Sequence, residues 1–88
     1  MNKKDDFTNI DFNNEKKKIG LRIKHIRKER GYSSHETFAN ENHIDRAQYG
    51  KYEAGSSNIT LATLIKILNI LKITLADFFN EDYENIKI

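Results

Sequence analysis

Apolar residues in this chain recur at helical spacing, not at the alternation of a strand. Ile19, Ile23 and Ile26 stand four and three residues apart among lysines and arginines, which predicts an amphipathic helix from about Asn14 to Arg30 that Gly31 ends. Leu21 lies off that stripe. Ser33 and Glu36 have capping-box spacing and predict a second, short helix whose apolar contact is Phe38 and Ala39. Residues 40–43 lead out of it. A third helix starts at Asp45, with Gln48 three residues on, and runs to about Ala54, where Gly55 can close it. Tyr49 and Tyr52 share one of its faces, and Ile44 can fill the space beneath the turn. Two helices this short are not stable alone and need a third body to pack against.

Beyond the polar loop at 56–58, Thr60 is the expected cap of a fourth helix. Leu61, Leu64, Ile65, Leu68 and Leu71 give it a broad apolar face that Ile67 and Ile70 thicken. This helix is the expected centre of the core and should stop near Lys72. Thr74 and Asp77 make another cap pair, with Leu75, Phe78 and Phe79 as the buried side of a last short helix. The chain therefore divides into a polar N-terminal arm at 1–14 with Phe7, Ile10 and Phe12 interspersed, a domain at 15–79, and a short acidic tail at 80–88. The class is all-α, five helices joined by short connections.

Eighty-eight residues suffice for one small domain. The absence of cysteine excludes disulfides and thiol chemistry and suits a reducing, cytoplasmic setting. Nothing in the sequence is apolar for long enough to span a membrane or act as a secretory leader. The net charge is only +2, but it is unevenly spread: residues 15–30 hold eight basic against two acidic side chains, and residues 77–88 hold four acidic against one basic. A molecule polarised in this way can approach a polyanion with one end and keep the other clear. An ordinary solvated lysine-rich helix reads equally well. His25, His35 and His43 belong to no metal-binding motif, and the four glycines are dispersed instead of forming a phosphate loop. No catalysis, metal or cofactor is expected.

Taken in order, IG..I..IR...G, SSHETFA, the turn with ID, Y..YEAG, NITL..L..I...L and I.L.DFF make the chain from Ile19 to Phe79 resemble the phage-repressor type of helix-turn-helix domain, the Xre or Cro-like family. The resemblance implies a compact five-helix, lambda-repressor-like domain that binds operator DNA as a two-fold dimer, with the third helix in the major groove. It puts the supporting helix at 34–41 and the recognition helix from Asp45 or Arg46 to Ala54, with Gly50 among the residues turned to DNA. Arg46, Ala47, Gln48 and Lys51 are then the base-reading candidates. Arginine can donate twice to guanine, and alanine can touch a thymine methyl; glutamine could pair with adenine or serve the cap at Asp45.

Ser34 and His35, together with Ser56, Ser57, Asn58 and Thr60, are candidates for phosphate contacts at two helix starts. Lys16, Lys17, Lys18, Arg22 and Lys24 would add longer-range attraction. Arg27 and Glu53 match a structural ion pair of the family, and Leu75, Phe79, Tyr83, Ile86 and Ile88 are the dimer candidates. His43 and Lys72 stand where the family often has glycine, Ala54 lacks a polar side chain common at its position, and both inward tyrosines need partners for their hydroxyls. The implied partners are double-stranded DNA, a second copy of the chain and, in one version of the family's biology, a toxin. Repressors of phages or mobile elements and controllers of restriction-modification operons are others. A protein-interaction module of the same fold, with DNA binding lost, is the competing class.

Overall fold

The computed structural model describes residues 7–88. Its helices are α1 (Phe12–Glu29), α2 (His35–Glu41), α3 (Arg46–Ala54), α4 (Leu61–Leu71), α5 (Leu75–Phe78) and α6 (Glu81–Glu84). There is no strand among the described residues, and α1 to α5 form the five-helix body. The part of the expected arm at 1–6 lies outside the described residues.

Helix α1 begins earlier than the apolar stripe suggested, because Asp11 caps it by accepting a hydrogen bond from the Asn14 amide at 2.9 Å. The polar arm therefore gives way to helix at Phe12, not at residue 15. Ser34, not Ser33, caps α2, its hydroxyl accepting from the Thr37 amide. Glu36 consequently sits within the first turn and closes no capping box. Asp45, Thr60 and Thr74 cap α3, α4 and α5 as their spacing predicts.

The core lies where α1, α2, α3, α4 and α5 converge on Ile23, Ile26, Phe38, Tyr49, Ile67 and Phe78, each 0–1 % exposed. The Phe38 ring stands edge-on to Tyr32 at 4.8 Å and tilted against Tyr49 at 5.0 Å. With seven and nine residues, α2 and α3 are too short to persist alone. Burying these two rings contributes about 1.5–3 kcal/mol apiece and joins the two helices to each other. On α4 the buried face is Leu64, Ile67, Leu68 and Leu71. Ile67 belongs to its centre, whereas Leu61 and Ile65, expected in the core, are exposed. The apolar surface of α4 is wider than the small body beneath it can cover.

The C-terminal segment differs most from its expectation as a tail. Asn80 caps α6, and Tyr83 is buried against Phe78 and Phe79. The Tyr83 hydroxyl donates to Glu15 on α1 at 2.6 Å, and Lys18 stands 4.4 Å above the same ring. Burial and the Glu15 carboxylate raise the pKa of this hydroxyl, so it stays a donor. Arg22 is buried too. It donates to the carbonyls of Phe78 and Asp77 at 3.0 and 2.9 Å, which lie at the C-terminal end of α5, and to Asn80, with Asp82 3.9 Å away. A guanidinium suits the partial negative charge of a helix end. The acidic segment is thus folded onto the basic helix, and the two charge runs are not held apart at opposite ends.

Candidate nucleic-acid interface

Helices α2 and α3 and the turn between them form one unit whose geometry is set by backbone bonds. The Ile44 amide donates to the Ala39 carbonyl at 2.9 Å, and Asn42 donates to the Phe38 carbonyl through both its amide and its side chain. His43 takes the left-handed conformation with φ of 57°. A glycine would do so at no steric cost; histidine is among the residues that tolerate it. Asp45 then starts α3 by accepting from the Gln48 amide at 2.8 Å.

Along α3, Tyr49 and Glu53 are buried while Arg46, Ala47 and Lys51 are exposed. The inward side is fixed by Arg27 of α1, whose Nε and Nη2 donate to the two Glu53 oxygens at 2.7 and 3.1 Å, and whose Nη1 donates to the Tyr32 carbonyl. The Glu53 carboxylate holds the Arg27 pKa above its ordinary value against the opposing effect of burial. The bidentate pair is almost entirely out of water, so deleting one partner would leave a buried, uncompensated charge.

Two seams let α3 lie this close to α1. A β-carbon on Gly20 would stand 2.5 Å from the carbonyl oxygens of both Tyr52 and Glu53, and one on Gly55 would stand 2.6 Å from the Lys17 Cα. Gly55 also has φ of 71° as the C-cap of α3. Gly20 has no role in the apolar pattern of α1 taken alone. Its signal was its place one residue after Ile19 at the edge of the buried stripe of α1, where a missing side chain marks a close helix approach.

Several candidates are already engaged within the protein. Gln48 is half-buried, and its Nε2 donates to the Ser57 hydroxyl at 2.9 Å, tying α3 to the following loop. The Ser34 and Thr60 hydroxyls serve as helix caps, and the Ser56 hydroxyl donates to the Lys51 carbonyl at 3.4 Å. Asn58 is exposed. Gly50 faces inward across the motif, since a β-carbon there would meet the His35 ring at 3.4 Å. This places Gly50 against the supporting helix instead of the outer face, and it brings His35 beside α3. Lys24 stands apart from this group, in a cleft at the far end of α3 lined by Leu21, Glu53, Ala54 and Lys87. Arg22 is buried with its guanidinium on the carbonyls at the end of α5, so it offers no direct contact to a phosphate. Of the dimer candidates, Leu75, Phe79 and Ile88 are exposed, Ile86 is half-buried, and Tyr83 is in the core.

This arrangement, a short capped helix presenting an arginine, an alanine and a lysine beside the start of a second helix, is that of a helix-turn-helix DNA-binding domain. The helix-turn-helix family model matches residues 23–78, and the chain belongs to that family, in its Xre/Cro-like form. A curated relative, the control protein C.MunI of Mycoplasma sp, is 38% identical over 69 residues, which cover 78% of this chain and 93% of the relative. The chain is accordingly a regulator of the helix-turn-helix type that binds DNA sequence-specifically. Among the described residues no helix is long and apolar enough to cross a membrane.

Proposed function

We propose that the protein is a transcriptional control protein that binds an inverted-repeat operator as a two-fold dimer, with α3 of each protomer in a major groove. The observation that carries this reading is the division of α3: Arg46, Ala47 and Lys51 are exposed on a helix whose other side is fixed by Tyr49 and the Arg27–Glu53 pair. Arg46 occupies the first turn of α3, from which a side chain reaches base edges most directly. It is the base reader of this scheme, with Ala47 against a thymine methyl and Lys51 on a base or phosphate. His35 and the exposed Ser56 and Asn58 supply phosphate contacts on either side, while Gln48 acts through the half-buried Ser57 by fixing that loop. The name of the Mycoplasma relative, a control protein, supports the regulatory role.

Selection from a random duplex pool tests the scheme and should return inverted repeats with half-sites about one helical turn apart. On the selected duplex, Arg46→Ala should lower discrimination against random DNA about tenfold. His35→Ala should weaken both duplexes alike. Equal losses on both duplexes for Arg46→Ala would remove its assigned role.

A further inference from the structure

The sequence spacing makes Glu36 the partner of Ser33 in a capping box, but Ser34 caps α2 and leaves Glu36 with no box to close. Its carboxylate points instead across the motif to Arg46, with Oε2 3.7 Å from Nη1. The pair joins α2 to α3 and both side chains are more than half exposed. It therefore lies on the surface offered to DNA, not beneath it. At 3.7 Å the contact is an ion pair without a hydrogen bond, and it engages the guanidinium at one corner. The edge formed by Nε and Nη2 is left to donate to an outside acceptor pair.

We propose that Glu36 is a positioning residue for sequence discrimination: it holds Arg46 by Nη1, turns the free edge of the guanidinium toward the base edges, and bars phosphate from the same place. The inference rests on the DNA-reading role of Arg46 given above. Two physical effects act in the same direction. An arginine without a partner swings readily onto the nearest phosphate, a contact that carries no sequence information; a carboxylate beside it competes for the charge and biases the rotamer. The same carboxylate repels the phosphates of any duplex seated in the wrong register. That like-charge cost falls on wrong complexes more than on the right one, where the groove faces the pair. The first turn of α2 is a favourable site for an acidic side chain, so the carboxylate is kept there at little expense to the fold. An exposed pair is weak, and its effect on discrimination is correspondingly about threefold to fivefold.

The test is a double-mutant cycle on the full chain: wild type, Glu36→Gln, Arg46→Ala and the double variant, each titrated by fluorescence anisotropy with the selected duplex and with a random duplex. Glu36→Gln should bind random DNA about threefold more tightly without tightening on the selected duplex, so the ratio of the two affinities falls. In the Arg46→Ala background only the repulsion of misplaced phosphates is left, so the same change should move that ratio clearly less than it does in the wild type. If Glu36→Gln tightens both duplexes equally in both backgrounds, Glu36 is only a nearby negative charge and the proposal is overturned while the DNA-reading scheme stands. If the wild type binds neither duplex at low salt, the scheme itself falls and takes the proposal with it. An unchanged helical circular dichroism spectrum for Glu36→Gln, with a thermal midpoint lowered by a few degrees at most, shows that a changed ratio does not reflect a changed fold.

Discussion

Tyr49 is fully buried, and its hydroxyl has no hydrogen-bond partner among the described residues. Burial raises its pKa, with the Glu53 carboxylate adding to the effect and Arg27 opposing it, so the hydroxyl remains neutral. An unpaired buried hydroxyl costs about 1 kcal/mol or more, which removal of the oxygen recovers while the ring stays in place. Tyr49→Phe should therefore stabilise the protein by about 1 kcal/mol in urea denaturation; a loss of stability would mean that the hydroxyl contributes to the Arg27–Glu53 pair. Lys72 offers a backbone counterpart. It closes α4 with φ of 59°, a conformation that costs a residue with a β-carbon roughly 1 kcal/mol. Part of that gain is lost to the greater freedom of an unfolded glycine. Lys72→Gly should stabilise by about 0.5 kcal/mol, and the β-branched Lys72→Val should destabilise by about 1 kcal/mol, on the same denaturation curve. The positive φ at His43 and Lys72 was legible through the family resemblance, which often has glycine at those two positions. The Gln48–Ser57 bond was not, because it depends on where a loop residue nine positions away returns in space.

At the scale of elements, the site depends on how close α1 and α3 lie. Gly20 and Lys17 are one turn apart on α1 and together receive the C-terminal end of α3 at Tyr52, Glu53 and Gly55. Seven residues after Gly20, Arg27 reaches the same end of α3 through Glu53. Gly20→Ala should cost about 2 kcal/mol, because the atoms a new methyl would meet are backbone carbonyls that cannot turn aside. The better helix propensity of alanine recovers at most about 1 kcal/mol in that position. Thermal or urea unfolding checks the size; a neutral result would mean that the two helices can separate without loss. The existence and order of α1 to α5 were readable because caps and apolar periodicity are local signals, and Asp45, Thr60 and Thr74 each announced a start; α6, inside the expected tail, was not. What was not readable was which of several apolar residues a small body covers. Ile67 rather than Leu61 or Ile65 faces inward on α4, a choice between two apolar faces that periodicity alone does not make.

For the whole molecule, the same limit explains the C-terminal segment. Four acids against one base read as a solvated tail, yet Arg22, Glu15 and Lys18 of α1 bind it through Asn80, Asp82 and Tyr83. These are long-range pairings that no periodicity announces. With Tyr83 turned inward, the apolar surface left outside around α5 is Leu75 and Phe79, four residues apart on one face and each about 40 % exposed. A two-fold dimer of the proposed kind would meet there. Leu75→Glu separates assembly from folding, because Leu75 is the first residue of α5 and an acidic side chain suits the first turn of a helix. The variant should sediment as a monomer and still unfold cooperatively, with a midpoint that no longer depends on protein concentration. Its affinity for a single half-site should be unchanged, whereas its affinity for the inverted repeat should fall about 100-fold, since the second half-site no longer benefits from a linked partner. A Leu75→Glu protein that still sediments as a dimer and binds the repeat as tightly as the wild type would move the two-fold contact away from α5, and the exposed Leu61 and Ile65 of α4 would be the next surface to alter.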